Sequence, residues 1–411
     1  MAGAPPPAAL PLDGIVVLDL TRALAGPFAT ALLADLGATI IKVESKKGGD
    51  STRAWPPFEG VHSLYFDSVN RNKSSIAIDF YSAEGAALLR RMALDADVVI
   101  ENFKPGTMAE MGLDPVQLRA EKPSLIIASV SGFGSSGPLA QAAGLDQVAQ
   151  GMSGLMSVTG DDVEHPTRVG VPIVDIYAGV FTAVGIAAAL VGRERTGGST
   201  AGAGATIETS LLEAAIAVSV FQGQRYLSTG EIPEPQGNNH PVLAPYGVFA
   251  TADIPIIIAA GNDRHFQQLA ELLGEPGLAD EEEFATGRAR SGHRQELTAR
   301  LEQLLAARPG LEWVDELRRI GIPAGPILNY QQVFDDPQVR HLDLVKHLTR
   351  RDGSALPLVR GPITVDGVAP SIRKAPPALG EDTRAVLDRL GLTAEQIEGL
   401  LAAGIVTEPA D

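Results

Sequence analysis

A regular alternation of strand-like and helix-like segments constrains the fold of this chain most tightly. Buried-strand patterns occur in GIVVLDL (14–20), ATIIKVE (38–44), IAIDF (76–80), ADVVIEN (96–102) and SLIIASVSG (124–132). Helical patterns separate them, among them FATALLADLG and EGAALLRRMALD. Strands that alternate with helices form parallel sheets covered on both faces. The pattern therefore predicts an α/β fold.

A second unit is indicated further along the chain. The segment STGEIPEPQGNNHP (228–241) is polar and rich in Gly and Pro, as linkers are. After it come VFATAD, IPIIIAAG, the helix DRHFQQLAELLG and a helix-rich stretch that leads to GIPAGPILN (321–329). Two further helices are expected in the tail. A chain of 411 residues has room for two or three domains.

Composition narrows the chemistry. With no cysteine, the chain has neither disulfides nor thiolate nucleophiles. A net charge of −17 disfavours nucleic acid as a partner, although a local basic pocket can still bind an anionic small molecule. The N-terminal MAGAPPPAALPLDG lacks the pattern of a signal peptide, so we expect a cytoplasmic protein. The apolar stretch between Asp175 and Arg193 predicts a buried helix rather than a membrane span.

Several common catalytic motifs are missing. TRALAGP, which follows the first strand, lacks the glycines of a dinucleotide site, so Glu44 at the end of the second strand carries little weight as a ribose-binding acid. Neither a Walker loop nor a GxSxG elbow occurs. The seven histidines show no HExxH spacing, and we predict no metal.

Asp175, in GVPIVDIYAG (170–179), lies between two apolar runs. A buried carboxylate is costly unless it is compensated. Two interpretations remain open: Asp175 is a helix N-cap, or it is an ionised nucleophile at a helix start. Glycine-rich segments at 131–138, 152–160 and 259–264 are either ligand-binding loops or ordinary turns.

Taken in order, many segments resemble the class III CoA-transferase family, which also contains acyl-CoA racemases. The resemblance runs from about Val17 to Thr383. The segments that carry it are VLDLTRALAGPFATALLADLGATIIKVES, GGDSTRAW, NRNKSSIAIDF, ENFKPGTMAEMGL, ASVSGFGSSGP, GLDQVAQGMSGLMSVTG, RVGVPIVDIYAG, AAGNDRHF, GIPAGPILN and APPALGEDT.

This resemblance implies a particular architecture. It implies a Rossmann-like large domain made from residues 10–215 and 345–411, with a smaller α/β domain at 225–335 between them. Two subunits are expected to thread through one another as an interlocked homodimer, which is a rare exception to the usual rule against threaded chains.

The resemblance also implies a mechanism, with Asp175 as the nucleophile. The carboxylate attacks an acyl-CoA thioester, giving an aspartyl mixed anhydride and CoA thiolate. The thiolate then forms a β-aspartyl-CoA thioester and releases the donor acid. The incoming carboxylate attacks that thioester to give a second anhydride, and the thiolate takes the new acyl group. CoA is a substrate in this scheme, and no permanently bound cofactor is needed.

Site residues follow from the same resemblance. A glycine loop that contains Gly261 is expected to close over the intermediate, where exclusion of water protects the anhydride. CoA-contacting positions are expected at Leu24, Ala25, Ser45, a strand from Ile78 through Asp79 and Phe80 to Tyr81, and Asn102, Phe103, Glu110, Leu145 and Asp146. Lys46 and Lys47 either meet CoA phosphates or form a solvated turn.

Departures from the family's branches indicate which substrates to expect. The formyl-CoA branch has different residues at Leu24, Ser45, Tyr81, Glu110 and Leu145, which disfavours oxalate. Racemases have a histidine where Leu145 stands, and leucine cannot exchange a proton. TRALAGPFAT with NRNKSSIAID is most similar to the branch that uses succinyl-CoA and small dicarboxylic acids. Arg22, Arg71 and Arg168 are candidates for binding a second carboxylate.

Three alternatives stay open from the sequence. An α-methylacyl-CoA racemase would share the scaffold, and so would a non-catalytic CoA-binding protein. A dehydrogenase is the third alternative, and the missing dinucleotide glycines speak against it.

Overall fold

A computed structural model describes residues 10–195 and 201–409. The chain forms two compact units. The large unit comprises the described parts of Met1–Leu155, Val169–Gln224 and Asp343–Asp411, and the small unit comprises Met156–Arg168 and Arg225–Leu342. The sequence placed residues 156–168 in the large domain, which is wrong. They join the small unit, where the Gly160 carbonyl accepts a hydrogen bond from the Gly237 amide at 2.9 Å.

The strands are short. In chain order they are β1 (Val16–Asp19), β2 (Thr39–Ser45), β3 (Phe58–Glu59), β4 (His62–Ser63), β5 (Lys73–Ile78), β6 (Val98–Glu101), β7 (Ile126–Ser131), β8 (Thr206–Ser210), β9 (Tyr246–Phe249), β10 (Ile256–Ala259), β11 (Ala324–Pro326), β12 (Val345–Thr349), β13 (Ala355–Val359) and β14 (Val406–Thr407).

The helices differ more in length. In chain order they are α1 (Ala25–Asp35), α2 (Leu64–Val69), α3 (Ala83–Asp95), α4 (Thr107–Glu110), α5 (Pro115–Glu121), α6 (Asp146–Met152), α7 (Ile173–Glu194), α8 (Leu211–Ala217), α9 (Val220–Thr229), α10 (Asp263–Leu272), α11 (Gly287–Gly292), α12 (Arg294–Leu305), α13 (Gly310–Arg319), α14 (Tyr330–Asp335), α15 (Pro337–His341), α16 (Thr383–Arg389) and α17 (Ala394–Ala402).

The large unit is built on a seven-stranded sheet in the order β14-β5-β2-β1-β6-β7-β8. All neighbouring pairs are parallel except β14 with β5. In the centre, Val17 is in register with Ile40 on one side and Val98 on the other. The predicted parallel α/β sheet is therefore confirmed. The antiparallel edge strand β14 comes from the tail, where the sequence predicts only helices.

Helices cover both faces of this sheet because successive strand residues point to opposite sides. Leu18 faces a core that also contains side chains of α3, α5, α16 and α17. Its neighbour Val17 faces a second core, formed with α1 and α7. Both valine and leucine are fully buried.

The small unit has its own core. Its three antiparallel strands lie in the order β11-β10-β9. Side chains of α10, α12 and α13, among them Phe266, Leu301 and Trp313, pack with Phe249 and Ile258 of the sheet.

Helix α7 is the one helix in the described part of the chain that is long and apolar enough to span a membrane by length and composition. It packs against the rest of the large unit through small residues. A Cβ atom added to Gly179 would lie 2.6 Å from the carbonyl oxygen of Ala25 in α1. Further along, the Thr182 hydroxyl lies 2.7 Å from that of Thr209 in β8. These contacts are those of a core helix.

Close packing at Gly179 gives a stability prediction. We expect Gly179→Ala to destabilise the protein by about 1–3 kcal/mol, because the added methyl group meets backbone atoms that have no room to move. Gly399→Ala in α17 is the matched control, since nothing lies within 4 Å of its added Cβ. Alanine should stabilise that helix by about 0.5–1 kcal/mol. Equal effects of the two variants in urea unfolding would contradict the packing described here.

Candidate active site

Asp175 is the third residue of α7 and is half-buried. The helix N-cap position is occupied by Pro172, which makes no side-chain capping bond. The interpretation of Asp175 as an N-cap is therefore wrong. The Asp175 carboxylate therefore has no capping role.

Asp146 supplies the missing cap from a distant part of the chain. Its Oδ1 accepts hydrogen bonds from the backbone amides of Val174 at 2.8 Å and Asp175 at 3.3 Å. Its Oδ2 accepts from the Gln150 side chain at 2.6 Å. Gln150 is fully buried, and its Oε1 accepts from the Val169 amide at 2.9 Å. Two side chains of α6 thus hold the segment that leads into α7.

This arrangement sets the charge state of Asp175. Burial, and then the nearby Asp146 carboxylate, raise the pKa of Asp175 to about 7. A helix start by itself favours the ionised form of a carboxylate, but burial and Asp146 outweigh that effect at Asp175. The reason is that Asp146 already occupies the first amides of α7 and adds a like charge.

Tyr65 lies close to both acids and was not predicted as a site residue. Burial, followed by Asp175 and Asp146, raises the pKa of its phenol, so the hydroxyl stays protonated. Its ring contacts Trp55 edge-on, with centroids 5.2 Å apart. Tyr65 immediately precedes the FDSVNRNK segment, part of which carries the family resemblance. This neighbourhood was the one feature of the sequence that could have indicated Tyr65 as a site residue.

A close backbone contact places Asp146. A Cβ atom on Gly132 would lie 2.6 Å from the Cα of Gly144, so only glycine fits at this crossing. Leu145 follows in an extended conformation, with its side chain 65% exposed, and α6 then begins. The glycine-rich segment 131–138 therefore serves, at Gly132, to let two stretches of backbone meet.

A cavity of about 710 Å³ opens where β1, β2 and β5 end. Five of the predicted CoA-contacting residues line it, namely Ser45, Phe80, Tyr81, Phe103 and Glu110. The predicted contact strand Ile78 to Tyr81 is wrong as a strand, since β5 ends at Ile78. Phe80 and Tyr81 instead lie in the turn that follows.

The other predicted CoA contacts have different surroundings. Leu24 and Ala25 are buried at the start of α1, and Ile78 is fully buried. Asp79 pairs with Lys46 at 2.8 Å, and Lys46 also donates to the Gly404 carbonyl. These two side chains are thereby engaged with the protein itself.

Two buried ion pairs occur in the large unit, and Asp50, a member of one of them, lines the cavity. Lys73 pairs with Asp19 at 3.1 Å, and Lys42 with Asp50 at 3.0 Å, with all four side chains inaccessible to solvent. Burial opposes ionisation of Asp19, but Lys73 and Lys42 outweigh it and hold its pKa well below the usual range. Burial lowers the pKa of Lys73 to about 8, an effect that Asp19 opposes.

Glu44, which carried little weight as a ribose-binding acid in the sequence, is another buried charged residue with partners inside the protein. Both of its carboxylate oxygens accept from Arg53 at 2.7 Å, and Oε1 also accepts from the Ser75 hydroxyl. Glu44 is therefore a structural acid.

Of the three arginine candidates, Arg71 is wrong. It is buried and paired with Asp35 at 2.6 Å, so it has no access to a substrate. Arg168 lies in the small unit. Arg22 is exposed and lines the cavity of the large unit.

Gly261 lies between β10 and α10 of the small unit. A Cβ atom there would come within 2.9 Å of the Leu243 side chain, so glycine permits a close approach. In the described residues, no cluster of three or more His, Cys, Asp or Glu side chains is arranged to hold a metal ion.

Comparison with known proteins identifies the family. The model of CoA-transferase family III matches residues 12–383. The chain belongs to CoA-transferase family III. It is 41% identical to the succinate–glutarate CoA-transferase of Agrobacterium fabrum over 392 residues, which cover 92% of this chain and 96% of that protein. It is 38% identical to the acetyl-CoA:oxalate CoA-transferase of Acetobacter aceti over 378 residues, 92% of this chain and 95% of that one.

A solved structure agrees with this assignment. The crystal structure of a CAIB/BAIF family protein from Brucella suis superposes with a TM-score of 0.81 at 40% identity, covering 93% of this chain and all of that one. The resemblance seen in the sequence is confirmed. As a family III CoA-transferase the protein is an enzyme, and its substrates include CoA thioesters.

The raised pKa of Asp175 gives a pH-dependent stability prediction. Its ordinary pKa is 3.8 and its folded value about 7, so the folded state holds a proton that the unfolded chain releases. Stability from this group is present below the ordinary pKa and is lost as pH rises through about 7. We expect Asp175→Asn to gain about 1–2 kcal/mol relative to the parent protein between about pH 5 and about pH 8.

Urea unfolding of both proteins at the two pH values measures this gain. Asp388→Asn, an exposed change on α16, is the control and should show no such pH-dependent difference. If Asp175→Asn behaved like this control, the raised pKa would be refuted.

Proposed function

We propose that this enzyme transfers CoA from succinyl-CoA to a small dicarboxylic acid such as glutarate. The observation that carries the proposal is Asp175, a half-buried carboxylate without a capping role, on the helix start that Asp146 fixes. The 41% identity to a succinate–glutarate enzyme supports these acids. The relative named for acetyl-CoA and oxalate makes oxalate the acceptor to test against them.

The proposed reaction proceeds through Asp175 in four steps. An Asp175 oxygen attacks the thioester carbonyl and the C–S bond breaks. CoA departs as the thiolate, and an aspartyl–succinyl anhydride remains on the enzyme. The thiolate attacks the aspartyl carbonyl and expels succinate, which carries away one Asp175 oxygen. The acceptor carboxylate attacks the resulting aspartyl-CoA thioester and expels thiolate. The thiolate then attacks the acceptor's acyl carbon and restores the Asp175 carboxylate.

The surroundings of Asp175 suit this role. With a pKa of about 7, roughly half of the carboxylates are ionised at neutral pH, and their basicity exceeds that of an ordinary aspartate. A more basic carboxylate is a better nucleophile. The protonated Tyr65 hydroxyl is a donor suited to the oxyanion of the tetrahedral intermediate.

CoA is proposed to bind with its nucleotide half in the 710 Å³ cavity, whose wall holds Phe80, Tyr81 and Phe103. Aromatic side chains and a volume of this size suit an adenine nucleotide. Ser45 and Glu110 line the same wall. Racemisation is disfavoured because Leu145, which precedes Asp146, offers no proton-exchanging group.

We also propose that the enzyme is an interlocked homodimer in the cytoplasm, with no metal or permanently bound cofactor. Apolar side chains on α7 and α9 support the dimer, because they are exposed in the single chain. They include Phe181, Val184, Val191, Phe221 and Leu227. Light scattering at micromolar concentration tests the dimer.

A panel of acceptors tests the substrate assignment. Incubation with succinyl-CoA should convert glutarate to glutaryl-CoA with a kcat/KM at least about 10-fold above those for acetate and oxalate, a ratio that one well-placed polar contact supplies. New thioesters are measured by mass spectrometry. Asp175→Ala should lose at least about 1,000-fold in kcat, because no other group accepts the acyl chain.

Asp388→Asn is the control and should keep full activity. Preference for oxalate, or α-epimerisation of a branched acyl-CoA without transfer, would overturn the assignment.

A further inference from the structure

The cavity of the large unit has an unusual charge balance for a site that receives a polyanion. Three acidic residues line it, Glu44, Asp50 and Glu110. Glu44 is neutralised by Arg53 and Asp50 by Lys42. Among the described residues that line the cavity, the one basic side chain is Arg22.

The main chain of Arg22 is fixed by hydrogen bonds, while its side chain remains free to bind a ligand. The Asn102 side chain accepts from the Arg22 amide at 2.9 Å and donates to the Arg22 carbonyl at 2.7 Å. The next residue, Ala23, has a left-handed φ of 63° and donates its amide to Asp50 at 3.2 Å. A strained backbone of this kind persists where surrounding bonds enforce it. These hydrogen bonds hold the turn after β1 in its conformation.

The guanidinium group of Arg22 lies over the Phe103 ring, 5.4 Å from the ring centroid. The structure gives it no ion pair with any residue in the described ranges. Stacking on an aromatic ring leaves the N–H edge of an arginine free for an anion.

Other basic side chains near the cavity are already engaged. Lys46 bonds to Asp79 and to the Gly404 carbonyl. Arg53 bonds to Glu44 and to the Pro377 carbonyl. These groups would have to break existing bonds to meet a ligand, whereas Arg22 would not.

We propose that Arg22 is the phosphate anchor of the CoA site. Its guanidinium donates to phosphate oxygens of the nucleotide half of CoA, and the Phe103 ring supports its plane from behind. This inference rests on the proposed placement of CoA in the cavity. It replaces the expectation from sequence that Arg22 binds the second carboxylate of the substrate, since Asp175 does not line this cavity.

Glu110 gives the proposal a second consequence. It is exposed, lines the same cavity and has no hydrogen-bond or ion-pair partner for its side chain among the described residues. Its negative charge opposes that of a bound phosphate. Removing this charge should strengthen CoA binding, in the opposite direction to removal of Arg22.

The test measures binding and turnover separately. Equilibrium binding of CoA and of adenosine 3′,5′-bisphosphate is measured by calorimetry, and KM and kcat are measured with succinyl-CoA and glutarate. We expect Arg22→Ala to weaken both binding equilibria and to raise the KM for succinyl-CoA by about 10- to 100-fold, as expected for loss of a charge-assisted hydrogen bond. The KM for glutarate and kcat at saturation should change less than about 2-fold.

Three further variants sharpen the result. Arg22→Lys should recover part of the affinity, because it keeps the charge without the bidentate fork. Glu110→Gln should lower the Kd for CoA by about 2- to 5-fold. Arg389→Ala, exposed on α16 and outside the cavity wall, should leave both binding constants, both KM values and kcat unchanged.

Two outcomes would overturn the proposal. One is a selective rise in the KM for glutarate in Arg22→Ala, which would return Arg22 to the carboxylate role. The other is unchanged binding of CoA and of the bisphosphate. Failure of the transferase reaction would refute the proposed function. The role of Arg22 in CoA binding would still be tested, because both binding equilibria are measured without turnover.

Discussion

The Asp146 carboxylate is the interaction on which the active-site geometry depends. One of its oxygens binds the first free amides of α7, and the other is held by the buried Gln150. The same charge that fixes the helix start also raises the pKa of Asp175. Asp146 therefore fixes the position of Asp175 and adds to the larger effect of burial on its pKa, so any change at Asp146 alters both.

Asp146 itself depends on a contact that requires glycine. Gly132, after β7, and Gly144, before α6, approach so closely that neither has room for a side chain. This crossing brings α6 to the start of α7. The cavity opens at the carboxyl ends of β1, β2 and β5, and Asp50, which is paired with the buried Lys42, lines it. Site and cavity thus lie at the strand ends, where ligands of parallel sheets bind.

Hydrophobic periodicity was sufficient to predict the parallel sheet, because Val17, Ile40 and Ile127 lie in runs of buried aliphatic residues. It failed where polar residues are buried. Strand β5 begins at Lys73, which a pattern of apolar residues excludes, but Asp19 neutralises this lysine inside the core. Strand β14 is only two residues long and forms by pairing with β5, a contact that local sequence does not encode.

Only part of the site was predictable from the sequence, because several of its contacts join residues that are far apart along the chain. Asp175 and the cavity residues Ser45, Phe80 and Phe103 were selected through resemblance to a family. The capping role of Asp146, the Gln150 bond to Val169 and the proximity of Tyr65 depend on residues that are 19 to 110 positions apart. Arg71 was a candidate for binding a substrate carboxylate, but its buried partner, Asp35, lies 36 positions earlier at the end of α1, a contact that local sequence does not encode.

Transfer of oxygen between the substrate carboxylate and Asp175 distinguishes covalent catalysis by Asp175 from any route that bypasses this side chain. In the proposed reaction each turnover replaces one Asp175 oxygen with one from the acceptor carboxylate. The enzyme is turned over with succinyl-CoA and glutarate whose carboxylates carry heavy oxygen, and the Asp175 peptide is examined by mass spectrometry. We expect heavy oxygen in the Asp175 side chain and none in the peptide that contains Asp146. Full turnover with an unlabelled Asp175 would contradict covalent catalysis by this residue.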